Sequence, residues 1–400
     1  MFRKNIKNRI KRAAVTFVAL GMISSLAACG QVAGEPYGTN ENNSGANENN
    51  SGVADFSDKV RVVTTIFPEY DWVREVVGTG ANSVDKSAAD SVDVSMLLDN
   101  GVDLHSYQPS AADIVNISTC DLFIYVGGES DKWVDDALKE ATNKDMVVID
   151  LMDVLGDSVK EEELVEGMQG EDEEEHSHED EDADHDHEDA DHENEDEDHE
   201  HEDADEDSDE EGHHHEAGEK EYDEHVWLSV KNAEILTNEI ADKLSEIDPS
   251  HADAYKANAQ AYTEKLSGLD KEYQSAVDNA GKDTLIFGDR FPFRYMVDDY
   301  GIKYYAAFVG CSAETEASFE TIIFLAEKID ELNVPVICTI ENSDAKIANT
   351  VLQNVKSGEK EIVTFNSLQS VTSIDVKAGA NYLSIMQDNL NVLKTAIESK

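Results

Sequence analysis

Residues 250–279 read SHADAYKANAQAYTEKLSGLDKEYQSAVDN, and this stretch decides the architecture. Tyr255, Ala259, Tyr262, Leu266 and Leu269 recur at three- to four-residue spacing, so they fall on one stripe of a helix. Pro249 lies just ahead, where a proline suits a first helical turn. About thirty residues at 1.5 Å each make a helix about 45 Å long, enough to bridge two domains rather than pack inside one. A single large α/β domain with a helical hairpin is the alternative. A second helical pattern, about Ser229–Ile247, precedes the first and is parted from it by Asp248-Pro249.

Short β-branched runs lie on both sides of these helices. Ahead are Val60–Ile66 (VRVVTTI), Val92–Leu97, Leu122–Val126 and Val147–Leu151; behind are Thr284–Phe287, Lys303–Phe308, Val334–Ile340 and Glu361–Phe365. Helical patterns separate many of them, among them Glu69–Val77, Ala111–Ser118, Ser318–Leu332 and Ala345–Val355. Strands alternating with helices indicate βαβ units and parallel sheets. The expected fold is therefore α/β, with two Rossmann-like lobes, each holding a four-stranded parallel sheet, and a long bridging helix between them. The expected boundaries are 59–248 for the first lobe, 249–280 for the linking helix and 281–400 for the second lobe.

The N-terminal end carries an export signal. Arg3, Lys4, Lys7, Arg9, Lys11 and Arg12 form a basic region, and the apolar run Ala13–Ala27 is too short and wrongly flanked for a membrane-spanning helix. It ends in Leu26-Ala27-Ala28-Cys29, a pattern that resembles a bacterial lipobox. Residues 1–28 then read as a cleaved signal peptide, with Cys29 as the lipidation site. Residues 29–58, with a near-repeat of NENNSG, read as a tether. The expected location is outside the cytoplasm, anchored to the cell membrane. Of the remaining cysteines, Cys120, Cys311 and Cys338, the pair Cys311–Cys338 is the best candidate for a disulfide in an exported protein, and no CxxC zinc motif is present.

Between Glu171 and Glu216 lie ten histidines and twenty-nine Asp or Glu, with no Lys or Arg. The histidines are His176, His178, His185, His187, His192, His199, His201, His213, His214 and His215. So few apolar side chains cannot offset the entropy of ordering the segment, and disorder is expected. Imidazole and carboxylate are ligands that divalent metals accept, so the tract indicates a metal-handling protein. The net charge of −57 disfavours nucleic acid, whose phosphates require a basic face.

Outside the tract the histidines are His105, His225 and His251. His105 follows a strand and precedes a helix, the position where ligands bind in open α/β sheets. His225 stands at the start of a helix, just after the tract. Three segments carry a resemblance, in order along the chain: Thr64–Asp71 (TTIFPEYD), His105–Ile114 (HSYQPSAADI) and His225–Leu228 (HVWL). They resemble the metal-binding solute receptors of bacterial zinc and manganese ABC transporters, from about residue 59 to the C-terminus. The acidic His tract is similar to the His-rich loop of the zinc members.

That resemblance implies two lobes with the metal in the cleft, ligated by His105 and His225, a monomer, and an ABC permease with its ATPase as partners. The family's third ligand falls on Arg290, which cannot bind a cation, and the fourth on Asn366, a poor zinc ligand. Asp289 is the nearest replacement for the third; its other reading is a helix N-cap. Glu316 reads as a helix-start residue, Glu341 as a weaker strand-end carboxylate, and His251 as exposed and structural. Zinc is favoured over manganese because the ligands are rich in imidazole. A surface metal buffer or adhesion-type interaction protein is the alternative, and a zinc hydrolase a more distant one. The sequence has no H-E-x-x-H, G-x-S-x-G, Walker A or G-x-G-x-x-G motif, so no enzyme is expected.

Overall fold

The structure is a computed structural model, and it describes residues 59–170, 221–312 and 316–398. The signal segment, Cys29, the tether and the acidic His tract fall outside the described residues. The first half comprises β1 (Val60–Thr64), α1 (Phe67–Val77), β2 (Val92–Met96), α2 (Ala111–Thr119), β3 (Leu122–Tyr125), α3 (Val134–Lys139), β4 (Val147–Asp150) and α4 (Leu151–Leu155). Two helices follow, α5 (Val230–Ile247) and α6 (Ala252–Asp278). The second half comprises β5 (Thr284–Phe291), α7 (Arg294–Tyr300), β6 (Lys303–Val309), α8 (Phe319–Leu332), β7 (Val336–Ile340), α9 (Lys346–Asn354), β8 (Glu361–Phe365), α10 (Ser373–Ala378) and α11 (Tyr382–Ile397).

All eight β-branched runs are strands, and they pair in two four-stranded sheets, β2-β1-β3-β4 and β6-β5-β7-β8, parallel throughout. In each sheet the order reverses beside the first strand, which opens a crevice at the carboxyl ends of the strands. β5 runs four residues past the apolar run Thr284–Phe287. Its pairing with β6 shifts register between Phe287 and Arg290, as expected where an extra residue is absorbed into a strand. Asp289 and Arg290 thus lie inside β5. Asp289 does not cap α7, whose N-cap is Phe293.

α6 joins the halves. At its start, Asn258 accepts the amides of Val84 and Asp85 on its Oδ1 and donates Nδ2 to the carbonyls of Val76 and Asp85. Toward its end, Tyr273 donates its hydroxyl to the Met386 carbonyl at 2.7 Å and stacks on Tyr300. One cluster of buried apolar side chains runs from Val62 and Ile124 through Trp227, Leu244, Tyr262 and Leu269 to Phe287, Phe365 and Leu393. Each such side chain contributes about 1.5–3 kcal/mol when fully buried. Among the described residues no helix is long and apolar enough to cross a membrane.

Candidate metal centre

His105 sits on a short helical turn and His225 directly ahead of one, and in each case a nearby aspartate fixes the backbone. Asp103 caps the turn Leu104–Ser106 by accepting the His105 amide at 3.1 Å. Asp223 does the same for the amide of His225 at 2.8 Å, just ahead of the turn Val226–Leu228. Tyr295, from α7, donates its hydroxyl to the Asp223 carbonyl at 2.7 Å and so ties this segment to the second half.

The two rings meet: His105 Nε2 lies 3.3 Å from His225 Nε2. A tetrahedral zinc ion with Zn–N bonds of about 2.0–2.1 Å holds two nitrogens about 3.3 Å apart. The observed spacing therefore suits one ion shared by both rings. Each Nδ1 has a partner that can take its proton and leave Nε2 as the donor to a metal. For His225 the partner is Asp223 Oδ1 at 2.9 Å; for His105 it is Ser130 Oγ at 2.8 Å, with Glu224 Oε2 at 3.4 Å. His225 is wholly buried, whereas the His105 side chain is 13% exposed and lines the cleft.

Burial works against the charge on Glu224, but hydrogen bonds from His105 and from the Ser130 amide outweigh it and hold the carboxyl below its usual value. Likewise burial lowers the His105 pKa while Glu224 and Asp103 raise it, and the net shift is upward. Two glycines make the room. A Cβ on Gly128 would stand 2.5 Å from Glu224 Oε1, and Gly128 has φ +84°. A Cβ on Gly310 would stand 2.9 Å from His225 Cε1 and 3.0 Å from the Phe291 carbonyl oxygen.

The cleft holds a cavity of about 650 Å³, lined in part by Asp103, His105, Asp289, Arg290, Cys311 and Glu341. Arg290 donates Nη2 to Asp103 Oδ2 at 3.0 Å and Nη1 to the Ser312 carbonyl at 3.4 Å. Asp289 lines the same cavity; its Oδ1 accepts the Arg290 amide at 2.9 Å and its Oδ2 lies 3.5 Å from the Ile340 amide. Glu341 accepts the amide and the hydroxyl of Ser367, each at 2.7 Å. Asn366 turns its Oδ1 into its own loop, accepting the Leu368 amide at 2.8 Å, while its backbone pairs with Asn389. Exposed Glu316 also borders the cavity, while Ser318 caps α8. His251 is half-buried rather than exposed, and its Nδ1 lies 2.6 Å from Asp248.

Among the described residues, one ring nitrogen each from His105 and His225 and the Sγ of Cys311 lie within 4.8 Å of one another. Cys311 stands two residues beyond β6. The candidate disulfide between Cys311 and Cys338 is not formed: both are free, as is Cys120. Cys338 is fully buried within β7, whereas Cys311 faces the cleft. Ser130, Glu224 and Gly310 were not singled out by the sequence, and Cys311 was considered only as a disulfide partner, not as a site residue. The only local signal was a carboxylate pair, Asp223-Glu224, directly ahead of His225.

Two parallel α/β sheets joined by a long helix, with paired imidazoles at the cleft, make a two-lobed α/β frame around a candidate metal centre. The chain belongs to the ZnuA family, described as zinc-uptake complex component A, periplasmic, whose model matches residues 62–396. It is 31% identical over 336 residues to the zinc-binding protein AdcA of Streptococcus pyogenes serotype M3, covering 84% of this chain and 56% of that protein. It is 28% identical over 340 residues to the high-affinity zinc uptake system protein ZnuA of Bacillus subtilis, covering 85% and 88%. The chain thus spans little more than half the length of the AdcA relative. Its fold matches the Zn(II)-bound ZnuA-like domain of Streptococcus pneumoniae AdcA with a TM-score of 0.57 at 27% identity, over 85% of this chain and all of that one.

Proposed function

We propose that this protein captures a zinc ion outside the cytoplasm and delivers it to an ABC permease driven by its ATPase. The observation that carries the reading is the 3.3 Å approach of His105 Nε2 to His225 Nε2 at the cleft. Each ring is oriented through Nδ1, as ligating imidazoles are. Asp289 lines the same cavity and is read as the candidate carboxylate from the second sheet, although it falls outside the cluster of His105, His225 and Cys311; Asn366, engaged in its own loop, is the weaker candidate. Manganese is the alternative cargo, and imidazole-rich ligation favours zinc. The protein acts as a monomeric binding protein rather than an enzyme. A lipid on Cys29 would anchor it, a reading supported by the zinc-binding lipoprotein AdcA of Streptococcus pneumoniae, 32% identical over 342 residues. The lobes would span 59–248 and 281–400, joined by a helix within 249–280.

Zinc calorimetry on four proteins tests this: intact, lacking residues 171–216, His105→Ala and His225→Ala. One tight site should survive removal of the tract and disappear in either histidine variant. The tract, with carboxylates outnumbering imidazoles about three to one, would contribute several weak sites that gather ions near the cleft. If tight binding instead vanishes with the tract, the protein is a metal buffer.

A further inference from the structure

We infer that Cys311 is the third protein ligand of the captured ion, so that a thiolate from the second sheet joins the two imidazoles of the first. The inference rests on the metal-receptor reading and specifies the donor set. Three independent features carry it. The first is position: the Cys311 Sγ and a ring nitrogen from each histidine fall within 4.8 Å of one another. An ion with Zn–N bonds of about 2.0–2.1 Å and a Zn–S bond of about 2.3 Å requires nitrogen-to-sulfur separations of about 3.6 Å. A side-chain rotation or a shift of roughly 1 Å at the strand end therefore suffices.

The second feature is how the turn is built. Gly310 leaves no side chain between the end of β6 and the His225 ring. The Cys311 amide donates to Glu162 Oε1 at 3.3 Å, which fixes the residue at the head of the turn. The third is the state of Arg290. Its guanidinium reaches in two directions at once, to Asp103 on the His105 turn and to the Ser312 carbonyl on the Cys311 turn. A side chain that cannot ligate thus clamps together the two turns that can. Arg290 is a positioning residue, and the donor it fails to supply comes from Cys311, on the turn just beyond the neighbouring strand β6.

Ligation breaks the Sγ–H bond and forms a metal–sulfur bond. The proton leaves to solvent, and neither sulfur nor metal changes oxidation state. Thiolate with imidazole suits zinc, whereas manganese favours carboxylate and water. Cys311 therefore sets the selectivity of the site.

The test uses the mature full-length protein with Co(II) as a spectroscopic probe and Zn(II) and Mn(II) for affinity. Co(II) on the unaltered protein should give a sulfur-to-metal charge-transfer band in the near ultraviolet, absent in Cys311→Ala and retained in Cys120→Ala. The histidine- and carboxylate-bearing tract has no thiol to produce such a band. Cys311→Ala should weaken zinc by more than the roughly 10–100-fold that loss of a ligand's hydrogen-bond partner costs. Its manganese affinity should stay within about twofold, narrowing the preference for zinc. If the unaltered protein binds zinc tightly but shows no charge-transfer band, Cys311 is not a ligand and the receptor reading stands. If it has no tight zinc site at all, both readings fall. The band is read on the unaltered protein, so the result does not depend on whether the variant folds.

Discussion

Asp223 holds His225 twice, accepting its backbone amide at 2.8 Å and its ring Nδ1 at 2.9 Å with the same carboxylate oxygen. Backbone position and ring orientation are thereby fixed by one buried group, and Nε2 is left facing His105. Asp223→Asn keeps an acceptor oxygen but removes the charge that holds the ring with Nδ1 as donor and Nε2 free for a metal. Zinc affinity should fall roughly tenfold, the lower end of what outer partners of ligating histidines contribute. Competition against a chelator, with circular dichroism as the check on folding, measures it.

Acid should weaken the same site. A metal needs neutral imidazoles. Burial depresses the His105 pKa, but Glu224 and Asp103 more than reverse this, so it titrates above its ordinary value. Protons then compete with zinc from somewhat above pH ~6.5 downward. Zinc affinity should drop by more than about tenfold between pH 7.5 and pH 5, followed by calorimetry at each pH. A flat profile would exclude imidazole ligation.

Gly310→Ala places a methyl group 2.9 Å from His225 Cε1 and 3.0 Å from Pro292 Cα. The ring or the strand end must move. Such overpacking costs about 1–3 kcal/mol, and zinc affinity should fall with it. Urea denaturation of the metal-free variant reads the first effect separately from the second. Unchanged values for both would mean that the β6 turn yields freely.

Asp71 on α1 accepts the Tyr382 amide at the start of α11 at 2.8 Å. Burial pushes its carboxyl up to about 7, against the pull of that hydrogen bond. The folded chain therefore holds a proton that the unfolded chain, with a pKa of about 3.9, has already released. Stability from this group is complete below pH ~4 and is lost as pH rises toward 7. Asp71→Asn should remove one proton from that linkage and flatten the decline. Denaturation midpoints of the metal-free protein at pH 5 and pH 8 measure it; an unaltered slope would show that Asp71 ionises normally.

The alternation of β-branched runs with amphipathic stretches revealed the strands: β3 and β7, buried along nearly their whole length, read as apolar runs, while the edge strand β2 alternates exposed and less exposed residues. The end of β5 was hidden because Gly288-Asp289-Arg290 has no apolar signature; a shift in pairing, not a propensity, carries the strand onward. His105 and His225 could be named because each lies in a local motif. Cys311 could not: no spacing links it to either histidine, and only the closure of the second sheet brings the end of β6 to the His225 turn. Asn366 matched a ligand position by resemblance, yet its side chain closes its own turn, a preference common to asparagine in loops.

The shared core limits how this chain can change. Trp227 donates its indole N–H to the Ser367 carbonyl, and Tyr382 from α11 donates its hydroxyl to the Trp227 carbonyl while its ring packs edge-on against Trp72 of α1. These contacts stitch residues from both ends of the described chain into one seam, so the halves are not interchangeable parts. A chimera that borrowed one half from a relative would mate unmatched surfaces along α6 and α11. His105 and Cys311, by contrast, stand partly exposed on turns beyond the strands, where a substitution disturbs less packing than in the core. Lineages built on this frame are therefore free to exchange one donor for another while inheriting the frame whole.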